Sequence, residues 1–373
     1  MENFHGYSID SLDPAPYFPE YNSGRGQAKL FQLLTCAESV DRMYRERYGP
    51  YMRYLRDFTD KFKDVELLVL ATYNPIHPEV LYRDLAKPTK VLGFIDEPGS
   101  TYVRGIPYLW AFDAAFYITP SFNEHFLFKD ALQNWGCEQS YWLPQVPPRP
   151  RICESGSFWP LAGPRFEASR LGDRFFRERD IDVIYVGQQY GSKVNRLIQL
   201  KKRFGSGFRI YGRWSLAGYS GAARLLKGKP ALWSRVRTIS DEERTALYYR
   251  TKIGLNMHLS DIPRETGNMR MYEVPAHGMM LLCDKAGLNA HEQIFEPDKE
   301  AVFYDSIEDA IEKIAYYLKH DEERERIARE GFARVNRDYD GEVNLTKFLD
   351  WAAALRKKNT VPVNFERNIC ASP

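Results

Sequence analysis

The chain has 373 residues, of which 44% are apolar, 14% aromatic and 27% charged, with a net charge of +2 at neutral pH. That length suggests two globular units at roughly 150 residues each, and the composition excludes a disordered or fibrous chain. No apolar run approaches the roughly 20 residues of a membrane span, MENFHGYSID lacks a signal-peptide layout, and Cys36, Cys137, Cys153, Cys283 and Cys370 are scattered singly, so a soluble cytoplasmic protein with reduced thiols is expected.

In chain order, NSGRG (22–26) comes first, a glycine turn carrying Gly24 and Gly26 before a helical stretch. Three short apolar runs follow, ELLVLA (66–71), KVLGFI (90–95) and AAFYIT (114–119), separated by stretches with helical spacing such as SFNEHFLFKDAL. Short apolar strands alternating with helices predict a parallel sheet covered on both faces. His77 in TYNPIHPE, and Asp96 with Glu97 in FIDEP, follow predicted strands and are candidate site residues, each of a type that can serve as a general base.

The proline-rich segment WLPQVPPRPRICESGSFWP (142–160) cannot continue a helix or a central strand and marks an interdomain connection. Alternation then restarts. DVIYVG (182–187) predicts a strand, 191–204 a helix, FRIYG (208–212) a strand, and Ser240 with Glu243 the capping-box start of a helix. KIGLNMH (252–258), MMLLC (279–283) and AVFY (301–304) predict further strands, with helices over 306–319, 321–336 and near 343–356. The expected organisation is a first α/β domain over 1–150 and a second over 151–342. A C-terminal helix and tail over 343–373 can return to the first.

Two motifs sit at strand-to-helix junctions of the second domain. VGQQYGSKVNR (186–196) offers Gly187 for close backbone approach to a pyrophosphate, and Lys193 and Arg196 to neutralise it. RETGNMRMYEVPAHG (264–278) puts Gly267 and Asn268 in a loop and starts a helix near Met269. Free N–H groups at such a helix start form an anion site. Arg270 can meet a phosphate, and Glu273, one turn in, can accept hydrogen bonds from neutral sugar hydroxyls, with Glu265 approaching from the other side.

Glu265 and Glu273 have the E-x7-E spacing of retaining GT-B glycosyltransferases, with Gly278 standing where that family has a small helix-closing residue. The wider stretch NMRMYEVPAHGMMLLCDKAG resembles the CgeB-type spore-maturation glycosyltransferases, which anchor on an Asn-x-Arg-x-x-Glu pattern, here Asn268, Arg270 and Glu273. FIDEP is similar to an acidic-acidic-Pro segment of that group. The resemblance implies a GT-B fold, two Rossmann-like α/β domains facing across a cleft, and a hexosyl or pentosyl transferase of the EC 2.4 class. A nucleotide-diphosphate sugar then binds the second domain as donor substrate, with no cofactor and no metal. In that family the first glutamate contacts the transferred sugar and the second the ribose, which carries over to Glu265 and Glu273. No Asp-x-Asp stands at a strand end as a metal-using transferase of the other fold requires: Asp180-Ile181-Asp182 precedes a strand and Asp338-Tyr339-Asp340 follows a helix.

Residues 183–240 hold twelve Lys or Arg and no Asp or Glu, interleaved with Tyr190, Phe204, Phe208, Tyr211, Trp214, Tyr219 and Trp233. Positive charge among aromatics suits a phosphate backbone and exposed bases, which opens DNA bearing a hydroxymethylated pyrimidine as an acceptor; the plainer reading is that some of these charges hold the donor diphosphate, others face solvent, and several of the aromatics are core. A glycan, or an anionic lipid at a membrane surface, is the less favoured acceptor. The competing readings are a catalytically inactive nucleic-acid-binding protein that keeps the fold, and a sugar-nucleotide epimerase. No obligate protein partner is evident.

Overall fold

The computed structural model describes residues 2–4, 7–12, 16–18, 45–46, 48–71, 76–94, 105–118, 128–144, 162–187, 191–212, 236–258, 268–285 and 290–355. A short antiparallel hairpin of β1 (Glu2–Phe4) and β2 (Tyr7–Ile9) is followed by α1 (Tyr48–Phe62), β3 (Leu67–Ala71), α2 (Pro78–Arg83), β4 (Thr89–Phe94), β5 (Ala114–Tyr117), α3 (Phe128–Asn134) and β6 (Ser140–Trp142). Strands β3, β4, β5 and β6 pair side by side in that order, all parallel. The sequence reading leaves α1 unassigned. It forms because Tyr51, Tyr54, Leu55, Phe58 and Phe62 recur at helical spacing and bury one face against the sheet's core. β6 also escapes that reading, since Ser140–Trp142 is three half-buried residues long.

The second half runs α4 (Ala162–Leu171), α5 (Arg174–Arg177), β7 (Ile181–Val186), α6 (Gly191–Phe204), β8 (Phe208–Tyr211), α7 (Asp241–Tyr249), β9 (Thr251–Asn256), α8 (Met269–Ala276), β10 (Met280–Asp284), α9 (Ala290–Ile294), β11 (Val302–Tyr304), α10 (Ile307–Tyr317), α11 (Asp321–Asp338) and α12 (Gly341–Ala353). Its five strands are all parallel in the order β11-β10-β9-β7-β8. Alternate residues of the strands bury on opposite faces. Tyr185, Ile253, Leu255, Leu282 and Tyr304 pack with Leu197 and Ile314, whereas Ile184, Leu281, Cys283 and Phe303 pack with Tyr248, Met271 and Val274. Helices α6 and α10 therefore cover one face, and α7 and α8 the other.

Winding direction reverses between β7 and β9, neighbours in the sheet whose following segments leave in opposite directions. In open α/β sheets such a switch point is where ligands bind, beyond the carboxyl ends of the strands. Two features hold α8 there. Gly254 lets α8 lie close on β9, because a Cβ would stand 2.5 Å from Cγ1 of Val274. Arg179, buried among α5, α7, α8 and β9, donates to the carbonyls of Phe175, Tyr248, Thr251 and His277, the last at the end of α8. Burial lowers its guanidinium to about 9, and the four acceptors offset that cost.

Helix α12 packs on the first sheet rather than the second. It begins at Gly341, two residues before the predicted start, because Asp340 accepts from the N–H groups of Glu342 and Val343 as its N-cap. Phe348 meets Phe116 with ring centroids 5.0 Å apart and Tyr141 at 5.8 Å, and Trp351 lies 5.1 Å from Tyr141. Of the predicted connection over 142–160, Trp142 still belongs to β6, pairing with Tyr117, whereas 145–160 and the domain boundary at 150 lie outside the described residues. Phe348→Ala should destabilise the chain by about 3 kcal/mol, the usual cost of emptying a buried phenylalanine site, measurable as a lower urea midpoint.

Candidate functional site

Arg270, at the second position of α8, reaches across the switch point. Its Nε donates to the Val186 carbonyl at 2.6 Å, where β7 ends, and Nη1 donates to Oδ1 of Asn256 at 2.9 Å, where β9 ends. The guanidinium lies over the Tyr185 ring, 4.9 Å from its centroid. Among the described residues Nη2 has no hydrogen-bond acceptor. It stands over Gly187, where a Cβ would be 2.8 Å from it and 2.7 Å from the Tyr185 hydroxyl. One edge of a fixed cation is thus kept clear by the absence of a side chain at 187. Asn268 caps the helix, its Oδ1 accepting from the N–H of Arg270 at 3.1 Å.

One turn further, Glu273 is only 6% exposed. Burial pushes its carboxyl above the ordinary value, against the pull of Arg244 and Arg270. Among the described residues this carboxylate has no hydrogen-bond or ion-pair partner. A desolvated acceptor without donors is costly unless a ligand brings them. Gly278 closes the helix in the left-handed region at φ 70°, where a Cβ would strike the Phe175 ring at 2.4 Å.

A second group sits beside the first. Asp284, at the end of β10, accepts from the main-chain N–H of His258 through Oδ2 and bonds its Nδ1 through Oδ1, both at 2.8 Å. The His291 ring lies 4.1 Å from that of His258, tilted by 34°, and bonds the Asp284 carbonyl through Nδ1 at 2.7 Å. Burial alone would raise the Asp284 carboxyl, but the His258 ring beside it outweighs that and takes it down to about 2. With Cys283 these groups bring four donor atoms within 4.8 Å. Within the group, Cys283 Sγ lies 3.6 Å from Asp284 Oδ1 and 3.8 Å from His291 Nδ1 and accepts from Asn256 Nδ2 at 3.4 Å, while both Asp284 oxygens bond His258. The sequence reading missed this cluster, because His258 and Asp284 meet only through the pairing of β9 with β10.

Of the other predicted residues, Lys193 is buried in α6, and Arg196 lies near Tyr304, whose hydroxyl donates to the Asn256 carbonyl at 3.0 Å. His77 caps α2, its Nδ1 accepting from the N–H of Glu79 at 3.3 Å. That bond leaves Nε2 as a donor. Gly24, Gly26, Asp96, Glu97, Glu265 and Gly267 lie outside the described residues. Of the basic stretch, 188–190 and 213–235 also lie outside. In the described part, Lys201 donates to the Phe208 carbonyl at 2.6 Å, Arg237 pairs with Glu243, and Phe208 is core. The two acidic triplets carry fold contacts: Arg250 pairs with Asp180, Lys252 with Asp182, and Asp340 caps α12. No helix among the described residues is long and apolar enough to cross a membrane.

Residues 193–350 match the family described as Glycosyl transferase-like. Among solved structures, the chain is similar to an α-glucosyltransferase in complex with UDP-glucose and DNA containing an abasic site, at 12% identity over 82% of this chain and 83% of that one, TM-score 0.56. It is similar to HepE of Anabaena in complex with UDP and glucose, at 12% over 81% of each chain, TM-score 0.55. A third likeness is to TarM of S. aureus, at 14%, TM-score 0.53, where it covers 82% of this chain but spans only 58% of TarM's length. The fold is GT-B. No curated protein sequence matches the chain. The matched segment from 193 to 350 contains Arg270, Glu273 and the His258–Asp284 pair.

Glu273 yields a prediction with a definite sign. Its folded-state value lies above the ordinary 4.5, so its stabilising contribution is full below pH 4.5 and is lost as pH rises through the folded value. Glu273→Gln should therefore be more stable than wild type at pH 7 without ligand, the gap closing as pH falls towards 4.5, in urea unfolding at the two pH values.

Proposed function

We propose that this chain transfers a sugar from a UDP-sugar to an acceptor hydroxyl, with retention at the sugar carbon and without a metal, as a cytoplasmic enzyme of the CgeB-type group. The observation that carries the reading is the buried Glu273 carboxylate, without a partner among the described residues, one turn below a capped helix start and beside a guanidinium whose Nη2 has no acceptor among them. Two neutral hydroxyls on adjacent carbons, as on a ribose, supply the donors that this carboxylate lacks. The α8 N-terminus, Arg270 Nη2, Lys193 and Arg196 take the diphosphate, with Gly187 and Gly267 leaving room for it, and Glu265 contacts the sugar. Uridine as the base rests on the UDP and UDP-glucose held by similar structures.

In the step itself, the bond from the sugar carbon to the β-phosphate oxygen breaks and a bond to the acceptor oxygen forms on the same face. The acceptor's proton passes to the departing phosphate, so no protein base is needed. Asp96, Glu97 and His77 border the acceptor in this reading, with Gly24 and Gly26 forming the first domain's glycine turn. A hydroxymethylated pyrimidine in DNA is the proposed acceptor, supported by the acid-free basic segment 183–240 and by the DNA held by one similar structure.

Purified protein incubated with UDP-glucose should release UDP. Glu273→Ala should weaken the donor kcat/KM by on the order of a hundredfold, as expected for hydrogen bonds lost to a charged acceptor. Salt-sensitive DNA binding with no turnover of any nucleotide sugar would instead support the inactive nucleic-acid-binding reading, and conversion of the donor sugar without an acceptor an epimerase.

A further inference from the structure

We infer that His258, held by Asp284, is a positioning residue of the donor site: its Nε2 accepts the N–H of Asn268 and so fixes the start of α8. The inference rests on the reading of that site as the donor pocket. The chain leaves β9 at His258 and returns at Asn268, ten positions on, and one side chain ties the two ends together. The Asn268 N–H meets His258 Nε2 at 3.4 Å, while Asn268 Oδ1 caps the next turn at the N–H of Arg270. His258 is 2% exposed. The residue is held at three points: its ring Nδ1 and its main-chain N–H both bond the Asp284 carboxylate, and the His291 ring lies beside its own at 4.1 Å between centroids.

The arrangement sets which nitrogen does what. An ionised carboxylate only accepts, so Nδ1 carries a proton, and the Asn268 N–H directed at Nε2 makes that nitrogen the acceptor. That lone pair is what an N–H of a helix start requires, since the first amides of a helix have no partner within it. Asp284 at the end of β10 is thereby coupled through His258 to Asn268, and through Asn268 to Arg270, which itself bolts β7 to β9. A change at β10 thus reaches the phosphate edge of Arg270 through hydrogen bonds alone. This also assigns a role to the His258–Asp284–His291 cluster that requires no ion.

Two isosteres separate the ring's two nitrogens. In His258→Gln the amide oxygen can replace Nε2 and accept from Asn268, whereas in His258→Asn the amide can replace Nδ1 towards Asp284 and leaves Asn268 without an acceptor. Amide hydrogen exchange in the absence of ligand reads the contact directly. Asn268 and Arg270 should be protected in wild type and in His258→Gln, and should exchange about tenfold faster in His258→Asn at unchanged global melting temperature. With UDP-glucose, His258→Asn should raise the donor KM about tenfold with a smaller change in kcat, and His258→Gln should recover most of that loss.

The inference fails if His258→Asn keeps both the protection and the KM of wild type, or if Asn rescues and Gln does not, which would make the ring a packing element for Asp284. Zinc bound stoichiometrically by the wild-type chain and lost in His258→Gln would also overturn it. Absence of donor turnover in the wild type, with exchange behaving as stated, would refute the donor reading and leave the hydrogen-bond role standing.

Discussion

Everything at the candidate site depends on one guanidinium. Arg270 joins the carboxyl ends of β7 and β9 through Val186 and Asn256, and these are the two strands between which the sheet reverses its winding. The pairing of β7 with β9 runs as far as Ile184 and Gly254, and beyond that register side chains must hold the rim closed and set the distance between the departing loops. A planar cation with donors in a rigid fork does both, and the Tyr185 ring beneath it fixes its plane. Because the fork has more donors than these two carbonyl-type acceptors use, fixing the rim and presenting positive charge to an anion are achieved by the same side chain.

The second constraint is desolvation. Glu273 shares a face of α8 with Arg270, three positions on, and is packed where α7 and α8 meet the sheet. A carboxylate there destabilises the ligand-free chain and strengthens every hydrogen bond it makes once donors arrive, because the surrounding dielectric is low. Natural proteins carry such conflicts between local energy and burial chiefly at functional sites. Arg179 shows the contrasting case, a buried charge with all its neighbours supplied by main-chain carbonyls, which serves the fold and leaves no capacity for a ligand.

Much of this was legible in the sequence. Strands β7, β9 and β10 are central and covered on both faces, so they read as near-continuous apolar runs, and their positions were found within two residues. The start of α7 is legible because Ser240 is a side chain that caps, that of α8 because a Gly-Asn loop follows the strand, and its end from Gly278, which adopts a backbone that other residues resist. Arg270 and Glu273 were legible as a pair from their spacing after a strand. What stayed hidden depends on distance along the chain. The His258–Asp284 bond spans 26 positions and exists only because β9 and β10 align, and α12 rests on a sheet formed more than 200 positions earlier. Neither α1, whose apolar face is mostly aromatic, nor the three-residue β6 carries the periodic aliphatic signal that marks the longer elements.

The most direct test of this account is a crystal structure of the protein with UDP. The account requires the diphosphate at the start of α8 within hydrogen-bond reach of Arg270 Nη2, and the two ribose hydroxyls donating to Glu273. UDP bound elsewhere, or bound at α8 with the Glu273 carboxylate still without a donor, would contradict it.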